Sequence, residues 1–237
     1  MGGVFERVWL DVPFAQKDTA KAAGARWDAD RVRWYAPRRG MIALSRWLPR
    51  GSGLSDPLPG EDRAFGDDLY VDLVPVTCWF TNVRSSVTRT SWERLRTLVL
   101  SRTGRVCEGC GTIEHAASGR WLEVHERFDY DDRGGVQRLC RLIALCARCH
   151  AVTHFGLTRA RGLEEEALEH LMGVTGFSYR QALEHVEDAE DECRERSEDV
   201  WELDLSILTD AGLSVREAPA ARYRPGAAAD RLDRSRD

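Results

Sequence analysis

The sequence predicts an α+β fold in three parts: a small N-terminal β-α-β-like module, a central metal-binding domain and C-terminal helices. Short alternating apolar stretches flank a helical stretch near the N-terminus. Two Cys-x-x-Cys pairs and three His occupy the centre, and amphipathic acidic stretches follow them. The expected parts are a module over 1–49, a linker over 50–69, a metal-binding domain over 70–160, an acidic helical region over 161–215 and a disordered tail over 216–237.

Length and composition describe a chain that can form a hydrophobic core. Its 237 residues allow one large domain or a few small ones, and 43% of them are hydrophobic. No apolar run approaches the roughly 18 residues that a membrane span needs, and the N-terminus lacks the pattern of a secretory signal. We therefore expect no membrane association and a cytoplasmic location.

Charge is distributed unevenly along the chain. The net charge of −5 excludes a polyanion-binding surface over the whole protein. Residues 84–161, however, carry 14 Arg against 8 acidic residues, whereas residues 164–204 carry 15 acidic residues against 3 Arg. The basic segment favours nucleic acid as a partner. The acidic segment 164–204 has three interpretations: it binds a basic protein partner, it covers the basic segment, or it is a solvated helical face.

The N-terminal module is predicted from three stretches. "VWLDV" alternates like a strand, "AQKDTAKAA" is typical of a short helix ended by Gly24, and "RVRWYAP" alternates like a second strand. The pattern "VPFAQKDTAKAAGARWD…RWYAP" resembles a small domain of unknown function that precedes DNA-processing domains, such as plasmid-type primases. Its aromatic residues either form a small core or stack on bases beside neighbouring Arg side chains; these aromatics are Trp27, Trp34 and Tyr35, and the Arg residues are 26, 31 and 33.

Helices are expected on both sides of the metal-binding motifs. "WERLRTLVLSRTG" has an apolar face, with Thr90 or Ser91 as its N-cap and Gly104 at its end. Residues 163–200 predict two further helices, separated near "GVTGFS". These helices enclose the segment that carries the motifs.

Four cysteines predict a structural zinc site. Cys107 and Cys110 form one Cys-x-x-Cys pair, and Cys146 and Cys149 form another. An odd total of seven cysteines argues against a disulfide framework, and four thiolates suit tetrahedral zinc. The long interval between the two pairs indicates that a structural element is inserted between them.

Three histidines predict a second metal site of a different kind. His125 lies in the strand-like "WLEVHERF", and His150 and His154 are four residues apart on one face of a predicted helix. Three His ligands leave open positions on a divalent ion, which metal-assisted phosphodiester cleavage requires. The alternative is that His150 and His154 are ordinary helix residues.

The pattern "CEGCG…LEVHERF…LIALCARCHAVTHFG" resembles the HNH endonucleases whose ββα-metal motif is clamped by a four-Cys zinc. The resemblance implies His125, His150 and His154 as ligands of the catalytic metal and Glu126 as the general base, where the family usually has His. Arg141 stands where the family usually has Asn, and it is expected to bind the scissile phosphate. In a second register His125 is the base, and a carboxylate such as Glu123 or Glu126 completes the metal site.

The resemblance implies a metal-dependent endonuclease that hydrolyses DNA, with one structural Zn and one catalytic divalent metal (Mg, Mn, Zn or Ni). Arg127 and Arg148 are the expected nucleic-acid-binding residues beside the site. The alternative is a non-catalytic, zinc-stabilised nucleic-acid-binding protein derived from such a nuclease.

Overall fold

The structure is a computed structural model that describes residues 7–49, 57–79, 82–115, 117, 119 and 121–216, and it confirms the α+β class. Its strands are β1 (Val8–Leu10), β2 (Arg26–Asp28), β3 (Arg33–Ala36), β4 (Leu122–Asp131), β5 (Val136–Cys146) and β6 (Glu202–Asp204). Its α-helices are α1 (Lys17–Ala22), α2 (Val83–Ser86), α3 (Arg89–Arg102), α4 (Ala147–Thr153), α5 (Phe155–Ala160), α6 (Glu164–Thr175), α7 (Tyr179–Arg196) and α8 (Ser206–Asp210). Short 3₁₀ helices cover Phe14–Gln16, Ile42–Trp47 and Val76–Cys78.

The N-terminal module is a three-stranded antiparallel sheet in the order β1-β3-β2, with α1 between β1 and β2. The predicted strands and helix are present, and Gly24 follows α1 with a left-handed φ of +96°. Strand β2 was not predicted, because "RWD" is too short to show alternation. The module is therefore a β-α-β-β unit, in which β3 lies between β1 and β2 and is antiparallel to both.

One face of this sheet carries the module's own core. Leu10 and Ala36 pack there against Ala20 of α1 and against Leu44 and Trp47 of the 3₁₀ helix. The module also joins the rest of the protein, because the neighbouring Ile42 and Ala43 belong to the larger central core. The Ala43 N–H donates to the carbonyl oxygen of Ala211 at 3.2 Å, and Arg38 pairs with Asp210 at 3.2 Å.

The described part of the expected linker, residues 57–69, is packed into the protein. Leu58 and Leu69 are buried in the central core. Glu61 forms a bidentate ion pair with Arg102 at 2.6 and 2.7 Å, and both side chains are fully buried. The Gly, Pro and Asp residues make turns as expected, but the two Leu and Glu61 anchor those turns. Residues 50–56 lie outside the described residues.

Helix α3 matches the predicted apolar face. Leu95, Leu98 and Val99 are buried, and the helix ends before Gly104, which has φ of +62°. The N-cap is Thr88, whose hydroxyl accepts from the backbone N–H of Ser91 at 3.1 Å. The helix therefore begins slightly earlier than Thr90 or Ser91 as caps would place it.

The centre of the protein is the long antiparallel hairpin of β4 and β5. His125 lies opposite Ile143, and the register shifts between Arg127 and Phe128. Strand β6 extends the sheet in parallel to β5, and α4 follows β5 directly. The hairpin is the element inserted between the two Cys pairs.

The two helices predicted over 163–200 are α6 and α7. They are separated by Gly176, in the left-handed conformation, and by a capping box in which Ser178 and Gln181 hydrogen-bond each other's backbone N–H. Buried Leu168 and Leu171 attach α6 to the central core. Apart from Arg216, the expected disordered tail lies outside the described residues. Within the described ranges, none of the helices combines the length and apolarity needed to cross a membrane.

Candidate metal centres

The four-Cys cluster is assembled from two places. Cys107 and Cys110 lie in a tight turn after α3, where the Cys107 N–H donates to the Thr112 carbonyl at 2.8 Å. Cys146 ends β5, and Cys149 lies one turn into α4. One ligand atom from each Cys lies within 4.8 Å of the others, which is close enough for a single metal ion. The structure thus supports a four-Cys site for a metal such as zinc.

The electrostatics of these thiols fit a cation. Hydrogen bonds from neighbouring thiols, foremost Cys107, lower the pKa of Cys146, and the same cluster raises the pKa of Cys107 to about 11 and that of Cys149 further. A divalent ion would stabilise all four thiolates together, as in zinc sites.

His170 is a neighbour of this site that was not predicted from the sequence. Its Nε2 lies 3.2 Å from Cys149 Sγ, and it comes from the inner face of α6. Groups that hydrogen-bond to a metal ligand orient it. In the sequence, His170 stands among apolar residues and is indistinguishable from a core residue.

The three predicted His ligands come together on the other side of α4. One ring nitrogen from each of His125, His150 and His154 lies within 4.8 Å of the others, and the ring centroids are 4.5–5.5 Å apart. His125 is 5% exposed on β4, His150 lies in α4, and His154 occupies the residue between α4 and α5. The interpretation of His150 and His154 as unrelated helix residues does not fit this convergence.

The environment of this His triad (His125, His150 and His154) keeps two of its imidazoles neutral. Burial, reinforced by the neighbouring His rings, lowers the pKa of His154 to about 3, and burial also lowers that of His150. A neutral imidazole offers its nitrogen lone pair, which is the form that binds a metal. The donor set therefore suits a divalent transition metal.

Asp72 lies beside His125 and was not predicted either. Its Oδ2 is 3.8 Å from His125 Nε2, and it accepts a hydrogen bond from Arg127 Nη1 at 3.0 Å. Burial alone would raise the pKa of Asp72, but the nearby His125 and the charge of Arg127 outweigh it, and the pKa is lowered. Asp72 is therefore a carboxylate that can orient His125, and only its position within the apolar stretch "YVDLV" could have indicated it.

Arg127 is not at the surface. Its side chain is fully buried, and its guanidinium lies 4.0 Å from the centroid of the Tyr70 ring while it pairs with Asp72. Its Nε and Nη2 have no hydrogen-bond partner among the described residues. The expectation that Arg127 contacts nucleic acid is thus corrected, because alternation along β4 directs it inward with His125.

Glu126 lies on the opposite face of β4 from His125. Its Oε1 accepts from the Val83 N–H at the start of α2, at 3.2 Å. The carboxylate that does lie beside the triad is Glu123, whose Oε2 is 3.6 Å from His150 Nδ1 and whose side chain is 53% exposed. The strand period of two explains the difference, since 123 and 125 share a face and 126 does not.

Arg141 is buried and serves the fold. It donates to Glu108 Oε1 at 2.7 Å and to the carbonyl oxygen of Arg63. It therefore ties the segment before Tyr70 to β5 and is not available to a phosphate, contrary to expectation. Arg148, in contrast, is exposed on α4, between the two ligands Cys146 and Cys149.

Comparisons with known proteins match only a small part of the chain. Residues 7–49 match the model of a domain of unknown function (DUF5710). Two DNA primases TraC from Escherichia coli are 53% identical over 45 residues and 48% identical over 44 residues. These matches cover 19% and 18% of this chain and only 4% and 3% of the relatives. No solved structure matches the chain.

Proposed function

We propose that this protein is a metal-dependent endonuclease of the HNH type that hydrolyses DNA phosphodiester bonds. The observation that carries the proposal is the convergence of three His ring nitrogens within 4.8 Å, on a hairpin and helix that the four-Cys cluster joins. An exposed carboxylate, Glu123, stands beside them. Such a donor set at an accessible edge is suited to phosphodiester hydrolysis.

The His triad, Asp72 and Glu123 have different roles in the proposed reaction. His125, His150 and His154 would hold a divalent ion, which would supply charge neutralisation at the phosphate and a more acidic water. Asp72 orients the His125 ring. Glu123 accepts the proton of the attacking water, and it replaces Glu126 in that role because Glu126 faces the other side of β4.

The second register, with His125 as base, is less well supported. His125 is 5% exposed and faces the Asp72 carboxylate, so it has little access to a solvent water. Glu123 is the more exposed group, and its Oε2 lies 3.6 Å from His150 Nδ1. Arg148, also exposed, is the Arg we assign to phosphate contact.

DNA is the proposed substrate for two reasons. Residues 84–161 are rich in Arg, which neutralises phosphates. The N-terminal module is similar to a segment of relatives named DNA primase. The choice of DNA over RNA rests on that second observation.

The test combines metal analysis with cleavage of plasmid DNA in the presence of Mg, Mn, Zn or Ni. Wild type should hold one metal more than His154→Ala, which should retain its zinc. Glu123→Gln should lower the cleavage rate about 10²- to 10⁴-fold, the range for loss of a general base. The matched control is Glu126→Gln on the opposite face, which should cleave at nearly the wild-type rate. Equal loss in both variants would assign no special role to Glu123.

A second candidate is a non-catalytic, zinc-stabilised nucleic-acid-binding protein. It is favoured by the structural engagement of Glu126 and Arg141, the two positions where the family's base and Asn are expected. Under this candidate the chain holds a single zinc, binds DNA and cleaves none of the plasmid. The experiment above separates the two candidates.

A further inference from the structure

The outer face of the N-terminal sheet is a layer of aromatic and Arg side chains. Trp9 and Tyr35 are directly paired across β1 and β3 and lie on the face opposite Leu10 and Ala36, with ring centroids 5.9 Å apart. Within the described residues, neither ring belongs to a hydrophobic core cluster. Two large aromatic residues on this face therefore do not contribute to the module's core.

Two guanidinium groups cover these rings. Arg7 lies 4.7 Å from the centroid of Tyr35, and Arg31 lies 5.3 Å from that of Trp9. Both are held by one buried carboxylate: Asp28 accepts from Arg7 Nη1 at 2.8 Å and lies 3.6 Å from Arg31 Nη1. The side chains of Arg7 and Arg31 are nevertheless 51% and 64% exposed. Each guanidinium has five N–H donors, so pairing with Asp28 leaves donors for a further anion.

The charge of the module differs in sign from that of the protein. Residues 7–49 carry nine Lys and Arg against four Asp, a net charge of +5, whereas the whole chain has −5. Arg26 and Arg33 extend the basic layer along β2 and β3. A polyanion is the occupant that this charge favours.

We infer that this outer face binds single-stranded DNA. Unstacked bases stack on the guanidinium planes of Arg7 and Arg31, which the rings of Tyr35 and Trp9 support from below, and the other exposed Arg side chains contact the phosphates. A flat three-stranded sheet face offers no protruding helix or ribbon to enter the major groove of a duplex, which favours a single strand. The choice of DNA over RNA rests on the proposed function, whereas the binding face itself does not.

The experiment measures binding of the full-length chain to a labelled oligothymidylate of roughly 20 nucleotides, longer than a typical single-strand site of about 4–16. Fluorescence anisotropy is recorded without added divalent metal, so that cleavage does not interfere. Arg31→Glu with Arg33→Glu should weaken binding at least about tenfold and reduce the slope of log K against log salt by roughly 1.4, which is about 0.7 for each phosphate that is no longer neutralised. Trp9→Leu, which keeps an apolar strand residue, should weaken binding about tenfold.

The matched control is Lys17→Glu with Lys21→Glu, which makes the same change of charge on α1, whose Ala20 packs against the core face of the sheet. It should alter affinity by less than about threefold. Equal weakening by both double variants, or wild-type affinity in Arg31→Glu with Arg33→Glu, would overturn the inference. Tighter binding of a duplex of the same length would also overturn it, and tighter binding of oligouridylate would reassign the face to RNA. The assay measures binding and not cleavage, so its result tests the outer face even if the His triad has no nuclease activity.

Discussion

The carboxylate of Asp72 accepts a hydrogen bond from the buried guanidinium of Arg127 at 3.0 Å, and its Oδ2 lies 3.8 Å from His125 Nε2. The pair comes from segments 55 residues apart in the chain. Asp72 is also fixed through its backbone, because its N–H donates to the Thr153 carbonyl at 3.0 Å, one residue before His154. Asp72 thus contacts both the strand that carries His125 and the residue that precedes His154.

Asp72→Asn should weaken metal binding at the His triad about 10- to 100-fold, because an amide orients His125 less strongly than a carboxylate does. Titration with Co²⁺, followed by its absorption spectrum, measures this affinity, and the zinc content of the four-Cys site serves as the internal control. Asp72→Asn should also lower the free energy of unfolding by about 3–5 kcal/mol, since Arg127 is left buried without a counter-charge.

A double variant separates these two effects. Asp72→Asn with Arg127→Met removes the uncompensated cation, so we expect most of the stability to return in urea unfolding. Metal affinity should stay low, because the carboxylate is still missing. Recovery of both properties would mean that Asp72 serves the fold alone.

Cys149→Ser should release the zinc and destabilise the hairpin, since the site joins α4 to the turn after α3. We expect the melting temperature to fall by about 10 °C or more, because each kcal/mol lost shifts it by about 2–4 °C in a chain of this size. Cys140→Ser is the control: Cys140 lies on β5 but outside the cluster, and this variant should keep its zinc. Calorimetry and elemental analysis give the two readouts.

Glu61→Gln should lower the free energy of unfolding by about 3–5 kcal/mol, because Arg102 is fully buried and loses its bidentate partner. Glu184→Gln removes an exposed pair with Arg180 in α7 and should change stability by less than about 1 kcal/mol. Urea unfolding at neutral pH compares the two variants. Similar small effects would show that residues 57–69 can detach without unfolding the core.

His185 should make stability depend on pH. Its Nε2 accepts from the Val71 N–H at 3.0 Å, and burial lowers its pKa. Below the unfolded pKa of about 6.5, the unfolded chain takes up a proton that the folded chain does not, so stability falls as the pH decreases toward the folded pKa. His185→Gln should therefore lose stability less steeply than wild type between pH 7.5 and about 5.5, as measured by urea unfolding. Parallel curves for the two proteins would contradict this assignment.

Glu190→Gln with Glu164→Gln should raise affinity for DNA. Both carboxylates contact Arg159, near the end of the basic segment. The acidic helices α6 and α7 therefore place negative charge beside that segment. We expect about a twofold to fivefold gain at low salt, which high salt abolishes. Deleting the acidic region is unsuitable as a test, since Leu168 and Leu171 of α6 belong to the core. An unchanged affinity would leave a protein partner or a solvated face as the remaining interpretations of the acidic segment.

The sequence grouped the side chains of the two candidate clusters better than it identified their neighbours. The spacing of these residues is local information. The Cys-x-x-Cys spacing suits a tight turn, and the four-residue spacing of His150 and His154 suits one turn of a helix. Asp72 and His170 could not be found in this way, because each reaches its site from a distant segment through tertiary packing. Arg141 and Glu126 were given roles by family position, whereas the strand period and the Glu108 contact decide where their side chains lie.

The packing of residues 57–69 shows a second limit of sequence-based prediction. A Gly-, Pro- and Asp-rich composition predicts turns correctly, but it does not reveal that Leu58 and Leu69 are buried between those turns. The bidentate pair of Glu61 and Arg102 spans 41 residues and has no local signature. A stretch with the composition of a linker is here part of the core.

Helix α4 has only seven residues, and it contributes to both candidate metal centres through neighbouring positions: Cys149 belongs to the sulfur cluster and His150 to the His triad. A peptide bond joins a ligand of one ion to a ligand of the other. An ion that binds at one site orders this helix, and so it lowers the entropic cost of binding an ion at the other site. Thermodynamic linkage requires that the effect be the same in both directions. We therefore expect the two ions to load cooperatively, so that zinc scarcity would also leave the second centre empty.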